Sequence, residues 1–414
     1  MHRYAELKYG KRKISFTLPD HADIYTVRDP EINITAGKFR IRLEKELENG
    51  KWENPDSIVI AVADKTRRCG YPEYLPVLTE VLTDFGVKAS RITFHIAYGT
   101  HAPQNDKESR AVYGKCYDIF PFVHHDCRKK ESFVFLGKTG RGTPVMLPRK
   151  IYEAGFLITF GAVSHHYFAG YGGGRKLIFP GLGFREAVYR NHGLFLDRKN
   201  RKTETFCHPG MLDGNPLAED LAEYETYRPT DLAVHGIADS RGNICDLLVG
   251  RGASHFRSAC RLHGENSEIR TEPSYDTVLA SCGGHPKDIN MIQSHKALHN
   301  AAAFMKDGGS LIILAACRDG IGSRTFLPWF DMGSYSAAFD RLAENYEGNG
   351  GTALAMMEKT QRIRIFMMTE LPADIAEKMG VKKITEEDVR KKIRESSKSL
   401  AVLPHAALSV RQYS

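Results

Sequence analysis

Short apolar runs rich in β-branched residues alternate along this chain with stretches of helical spacing. Residues 57–63 (SIVIAVA) lack the polar interruptions of a half-exposed strand, which predicts a parallel strand buried on both faces. The run stops at Asp64. A helical spacing follows over 73–85 and closes at Gly86, a residue suited to the left-handed turn after a helix. Residues 91–97 read as the next strand, leading into Gly99-Thr100-His101, and 155–160 as another, leading into the glycine-rich segment 161–180. Polar and glycine-rich residues thus recur just after strands, where α/β sheets bind their ligands.

A polar, turn-rich stretch, 264–273 (GENSEIRTEP), marks a break. A fresh α/β pattern starts beyond it, with strands over 275–280, 310–316 and 362–368 and a helix over 288–305. Thr385-x-x-Asp388 is a capping box that opens a helix running to about Ser397. The expected fold class is α/β: two α/β domains with mainly parallel sheets facing an active-site cleft, divided into 1–268 and 269–414. There is no internal repeat and no low-complexity linker.

Composition narrows the class. The 414 residues suffice for two or three domains, and the 26% charged fraction is that of a globular protein. The net charge of +8 is spread out, with only short basic runs such as Lys382-Lys383 beside acidic residues. That suits anionic small molecules at least as well as nucleic acid, and no zinc finger or basic helix is present. No apolar segment follows Met1, and the run 311–317 is far too short to span a bilayer. The expectation is a cytoplasmic protein without membrane or nucleic-acid partners. Its eight cysteines form no CxxC pair, so they read as reduced thiols and a cysteine zinc site is disfavoured.

The densest chemistry lies in 165–181, where His165-His166 precede Gly170-Tyr171-Gly172-Gly173-Gly174-Arg175-Lys176 and Pro180-Gly181. Gly172, Gly173 and Gly174 would let backbone amides approach an anion, with Arg175 and Lys176 adding positive charge. The spacing fits neither GxGxxG nor a Walker A loop, and taken alone it is equally a glycine-rich turn with solvated cations. His101, His166 and His192 are candidate general bases or metal ligands, although a lone histidine is more often structural. Asp64 and Arg67 follow the first strand; Arg67 could grip a carboxylate bidentately and Asp64 could hold sugar hydroxyls, or the two could simply pair. Gln293 and Lys296, three apart, share a helical face, as solvated pairs also do.

Together these pieces resemble the nickel-pincer-nucleotide-dependent lactate racemase family. The likeness rests on Asp64-x-x-Arg67, Gly99-Thr100-His101, His166 through Lys176 to Pro180-Gly181, His192, and Gly284-x-Pro-Lys-Asp-Ile-Asn290-x-x-Gln293-x-x-Lys296. The resemblance implies a racemase or epimerase of a 2-hydroxy acid: lactate, a longer or dicarboxylic relative, or a sugar acid. It implies pyridinium-3,5-bisthiocarboxylic acid mononucleotide carrying nickel as cofactor, joined covalently at Lys176 and loaded by cofactor biosynthesis enzymes. His192 then resembles the protein ligand to nickel, and His101 and His166 the paired bases. Arg67, Gln293 and Lys296 resemble the substrate-binding groups; Asp64, Gly172, Gly173, Gly174 and Arg175 join Lys176 around the cofactor. The first domain would bind the cofactor and the second would close over the substrate. One departure stands out: the family's Gly-Phe-Ser-Gly-Gly is here Gly170-Tyr171-Gly172-Gly173-Gly174, without the serine hydroxyl.

Three rival readings remain at this stage, one of them an unrelated soluble α/β binding protein for anionic metabolites. A nicotinamide-dependent sugar-acid epimerase or dehydrogenase predicts a dinucleotide fingerprint, and none is found. A non-catalytic carrier of the nickel cofactor needs Lys176 and His192 but not His101, His166 or Arg67.

Overall fold

The structure is a computed structural model that describes residues 3–50, 52–272, 274–396 and 398–412. Pro273, at the end of the expected break, and Ser397, the expected end of the last helix, lie outside the described residues. The chain divides into two units: Asp29–Leu194 with Phe206–Asn266, and Met1–Arg28 with Phe195–Thr205 and Ser267–Ser414. Both are α/β with mainly parallel sheets.

The first of these units is built on six strands in the order Ile244–Gly250, Leu232–Ala238, Phe156–Ala162, Ile58–Ala63, Ile92–Ala97, Phe122–His124. All neighbours pair in parallel except the first two, which are antiparallel. Every residue of Ile58–Ala63 is buried, as an uninterrupted apolar run requires. From this central strand the chain moves outward to one side through Ile92–Ala97 and Phe122–His124. It then returns to the opposite side of Ile58–Ala63 with Phe156–Ala162. The sheet order therefore reverses between Ile58–Ala63 and Phe156–Ala162, and at such a reversal the loops beyond the strand ends part to leave a crevice. Asp64 follows one of these strands and the glycine-rich segment the other.

Two tyrosines fix the end of the central strand. The Tyr71 hydroxyl accepts the Ala63 amide at 2.8 Å and donates to the Phe160 carbonyl at 2.8 Å. The Tyr113 hydroxyl donates to the Ala63 carbonyl at 2.9 Å. Both side chains are fully buried, and burial pushes their phenol pKa values up, so they stay protonated donors. Tyr71 opens the helix Tyr71–Asp84, which starts two residues before the sequence spacing suggests because Pro72 suits a first helical turn.

The second unit carries a wholly parallel six-stranded sheet: Val381–Ile384, Arg364–Met368, Met305–Leu314, Tyr275–Ser281, Leu400–Leu403, Ala22–Ile24. Its last strand comes from the chain's beginning. Just before it, the hairpin of Arg3–Tyr9 and Arg12–Leu18 alternates exposed and buried positions, and its Leu7 and Phe16 pack into one core with Leu279, Ile312 and Val402. Residues 1–28, read from the sequence as part of the N-terminal half, thus count with the C-terminal sheet. The hairpin is pinned where the Gly10 amide donates to buried Asp288 at 2.6 Å.

Other boundaries shift for local reasons. The helix expected over 288–305 is Met291–Ala302, because the Asn290 side chain caps it by accepting the Gln293 amide at 3.0 Å. The strand expected from 310 begins at Met305. The expected break at 264 opens inside the helix Gly252–Ser267, whose last turn contains no proline to stop it. The Thr385–Asp388 capping box forms as read.

Tyr71→Phe keeps the ring and deletes the bond that satisfies the Ala63 amide. An unsatisfied buried donor costs about 1–3 kcal/mol, so the melting midpoint should fall measurably in thermal or urea unfolding. A midpoint equal to wild type would show that Ala63 does not depend on the phenol.

Candidate active site

Asp64 sits at the end of the central strand, 3% exposed. Its Oδ1 accepts the Thr66 amide at 2.8 Å and the Thr66 hydroxyl at 2.5 Å. Its Oδ2 lies 2.9 Å from Nδ1 of His101 and 3.9 Å from Nη1 of Arg67. Burial alone would raise this carboxyl's pKa. The His101 and Thr66 hydrogen bonds and the Arg67 charge outweigh burial and hold it down at about 2. Asp64 is therefore an anion at every physiological pH, and of the two basic side chains beside it His101 lies nearer than Arg67.

His101 reaches Asp64 because Ile58–Ala63 and Ile92–Ala97 run in parallel register, with Ala63 opposite Ala97. The turn after the second strand closes by the His101 amide donating to Tyr98 carbonyl at 3.1 Å. Gly99 adopts φ +60 and donates its amide to the Gly181 carbonyl at 2.7 Å, which ties this turn to the glycine-rich segment. With a carboxylate at Nδ1, the His101 proton resides on Nδ1 and Nε2 carries the lone pair. The sequence gives no signal for this pair, whose members are 37 positions apart; only the strand register brings them together.

His166 is held differently. Ser164–His166 and Gly170–Gly172 form a two-stranded antiparallel hairpin, with His166 opposite Gly170. Nδ1 of His166 accepts the backbone amides of Phe168 at 3.2 Å and Ala169 at 3.1 Å. Those two donors place its proton on Nε2. The two candidate bases are thus set in opposite tautomers.

Beyond the hairpin the backbone turns sharply. Gly173 and Gly174 have φ of +82 and +51; a Cβ would meet the Ala162 carbonyl oxygen at 2.4 Å in the first and the Phe256 ring at 2.7 Å in the second. Gly172 has no such φ, so of the three glycines read as permissive, two are required by the backbone and one is not. Arg175 lies over the Phe256 ring, 5.1 Å from its centroid, and its buried Nε has no hydrogen-bond partner. Burial lowers its pKa.

Lys176 is driven well below the ordinary lysine range, first by burial and then by the charges of Arg67 and Arg175. A neutral amine is a nucleophile; an ammonium is not. His192 ends the helix Arg185–His192. Its Nδ1 donates to the Val188 carbonyl at 2.7 Å, leaving the lone pair on Nε2. Burial, and then the charge of nearby Lys176, hold its pKa at about 4. A neutral imidazole with one nitrogen anchored to a backbone carbonyl is the usual form of a metal-ligating histidine.

These features fit a nickel-pincer nucleotide. Lys176 offers a neutral amine, His192 an oriented nitrogen lone pair, and Arg175 an orphaned buried Nε. No cluster of three or more His, Cys, Asp or Glu able to hold a metal ion by itself occurs among the described residues. In the other unit, Lys296 donates to Gln293 Oε1 at 2.8 Å on the helix Met291–Ala302, so these two do share a face. All eight cysteines are buried and none forms a disulfide. No helix among the described residues is long and apolar enough to cross a membrane.

Comparison with known proteins gives the same direction. The family model for the lactate racemase N-terminal domain matches residues 9–204, and that for the lactate racemase C-terminal domain matches 270–391. A lactate racemase of Thermoanaerobacterium thermosaccharolyticum is 29% identical over 341 residues, 78% of this chain and 77% of that protein. One from Lactiplantibacillus plantarum is 28% identical over 286 residues, 68% of this chain and 64% of that protein. The solved lactate racemase apoprotein from T. thermosaccharolyticum superposes with a TM-score of 0.88 at 24% identity, covering 99% of this chain and all of that one.

Two predictions follow from the charge states. His95 and His235 are 3% and 2% exposed, and burial holds their pKa values at about 4 and about 3. Folded chains refuse protons there that unfolded chains accept below the ordinary histidine value near 6.5. Stability is therefore full above pH 6.5 and declines as pH falls toward 4, by at most about 1.4 kcal/mol per pH unit for each histidine. Asp64 acts in the same direction but only between its unfolded value near 3.8 and about 2, so it adds nothing to the change between pH 7.5 and pH 5. Unfolding midpoints should drop from pH 7.5 to pH 5, and less so in His95→Gln; a flat profile would refute the buried neutral state.

Asp64→Asn removes the carboxylate that accepts from Nδ1 of His101 and orients its ring. Turnover should fall by at least about tenfold, within the range of a lost acid–base contribution, while the melting midpoint changes little. Undiminished turnover would separate Asp64 from the chemistry.

Proposed function

The chain belongs to the lactate racemase family and is an isomerase; from that membership we propose that it racemises lactate or a closely related 2-hydroxy acid, using a nickel-pincer nucleotide. The observation that carries this reading is the setting of Lys176 and His192: burial pushes both below their ordinary pKa ranges, and the Lys176 charge bears on His192. Lys176 would tether the cofactor and His192 would offer Nε2 to the nickel. When bound, the cofactor supplies a hydride acceptor, which lets a 2-hydroxy acid pass through a planar 2-oxo acid without ionising its weakly acidic α-hydrogen.

The protein's own residues then bind, orient and move protons. Arg67 presents a planar fork suited to the substrate carboxylate, and Gln293 and Lys296 carry the substrate-binding role that the family resemblance implies. His101 is ready to remove the hydroxyl proton at Nε2, because Asp64 fixes its other proton at Nδ1 and stabilises the imidazolium that forms. His166 presents Nε2–H, a donor toward the substrate oxygen. To serve as base for the opposite enantiomer it must carry the proton on Nδ1 instead, which requires the 166–169 turn to release the amides of Phe168 and Ala169. A carrier of the cofactor would need none of this, so the Asp64–His101 pair favours catalysis over storage.

The test is to produce the chain together with the cofactor's biosynthetic enzymes and to measure metal, mass and stereochemistry. Roughly one nickel per chain is expected, since one histidine serves one metal, with a mass adduct that Lys176→Ala abolishes. Chiral analysis of a panel of 2-hydroxy acids should show one of them racemised from either enantiomer. An adduct of equal size on Lys176→Ala would remove Lys176 from its role, and loaded protein inert on every 2-hydroxy acid would overturn the activity.

A further inference from the structure

Three consecutive residues at the end of the central strand are held by one segment of chain. The Ala63 carbonyl accepts the Tyr113 hydroxyl at 2.9 Å. Asp64 meets Nδ1 of His101 at 2.9 Å. The Lys65 amide donates to Oε1 of Gln104 at 2.9 Å. The first two holds belong to the strand end and the acid–base pair already described. The third, from Gln104, has no role in either.

Gln104 is buried and bonds in three directions. Its side-chain oxygen faces a backbone amide, which can only donate, so the orientation of the side-chain amide is fixed. Its Nε2 then donates to Oγ of buried Ser109 at 3.1 Å. Ser109 lies on the helix Asp106–Tyr113, whose last residue is the one that grips Ala63. The backbone amide of Gln104 donates to the Tyr98 hydroxyl at 3.3 Å. Tyr117 donates to Asp106 at 2.9 Å and so accepts Nε2–H of His124 at 3.1 Å, which leaves Nδ1 of His124 to accept the Tyr98 hydroxyl at 2.8 Å. The loop that presents His101 is therefore closed from Tyr98 to Gln104, and its closing residue is the one that reaches across to Lys65. The His101 side chain is 49% exposed, so packing alone does not fix its ring. Its distance from Asp64 follows from the spacing of the two turns.

We infer that Gln104 is the positioning residue of the Asp64–His101 pair: its side chain spans the two turns and sets the separation at which Asp64 accepts the Nδ1 proton of His101. Gln104 moves no proton and acts only through His101. Its bearing on catalysis rests on the proposed racemase function; its bearing on the His101 tautomer does not.

The test reads that tautomer directly, in the chain without cofactor. Imidazole nitrogen chemical shifts are measured with isotope-labelled histidine in alkaline buffer, and His101 is assigned by its loss in His101→Gln. Gln104→Met keeps the side chain's length and deletes both of its hydrogen bonds; Gln104→Glu keeps the acceptor for Lys65. The ratio of Nδ1–H to Nε2–H rings should fall about fivefold in Gln104→Met, the effect of one neutral hydrogen bond, and recover most of the way in Gln104→Glu. Ser109→Ala removes only the anchor of Nε2; it should fall in between, and it decides the matter if Gln104→Met does not fold. In the loaded enzyme, Gln104→Met should lower kcat about fivefold and leave KM near its wild-type value. A wild-type tautomer ratio in Gln104→Met, or in Ser109→Ala where Gln104→Met does not fold, overturns the inference whatever happens to the melting midpoint. So does a Gln104→Glu ratio no better than that of Gln104→Met, and an unchanged kcat removes Gln104 from catalysis. Loaded wild type inert on every 2-hydroxy acid overturns the proposed function, while the tautomer ratio still decides whether Gln104 positions His101.

Discussion

A buried carboxylate at the end of the central strand organises the candidate site. Asp64 could not remain ionised at that depth without compensation, because burying an unpaired charge is prohibitively costly. The compensation comes from Thr66, His101 and Arg67 together. Each is brought there by the sheet: Thr66 and Arg67 by the turn that ends the strand, and His101 by the parallel register of the neighbouring strand. Tyr71 and Tyr113 hold the last peptide of the strand from either side, so the carboxylate cannot drift toward solvent. Breaking the strand end would loosen three functional side chains at once.

Around this anion lies an excess of positive charge. Arg67 and Arg175 both press on Lys176, and Lys176 presses on His192. Burial and like charge both disfavour protonation here and push Lys176 and His192 below their ordinary pKa ranges. On the proposed reading, an anionic nucleotide would relieve the same repulsion by another route. One charge arrangement would then serve both needs: a lysine and a histidine pushed toward their neutral, bonding forms, within a field that favours an incoming anion.

Much of this was legible in the sequence, and the limits were physical. The buried strands at 57–63 and 91–97 and the polar residues following them were readable because an uninterrupted apolar run has few alternatives. The beginning of the chain was misassigned because three short strands with alternating burial carry little signal of their own. Their place is decided by Leu7 and Phe16 finding the core of Leu279 and Ile312, more than 260 positions along the chain. Asp64 and His101 were each visible as candidates, but their bond was not, since it exists only through strand register. The Val188 carbonyl that orients His192 was invisible for a simpler reason: any residue could have supplied it.

The two histidines raise the deeper point. A racemase must treat both faces of its substrate, yet His101 and His166 are wired in unlike ways, one to a carboxylate and the other to two backbone amides. The carboxylate stabilises an imidazolium as well as a neutral ring, so His101 can gain and lose a proton without moving its partner. The amides tolerate only a lone pair at Nδ1. For His166, then, a change of protonation is also a change of backbone hydrogen bonding in the turn 166–169. On the proposed reading, reversal of direction is coupled on one side to charge and on the other to conformation. The conformational requirement then falls on the hairpin of Ser164–His166 and Gly170–Gly172, from which the chain runs on through Gly173 and Gly174 to Lys176.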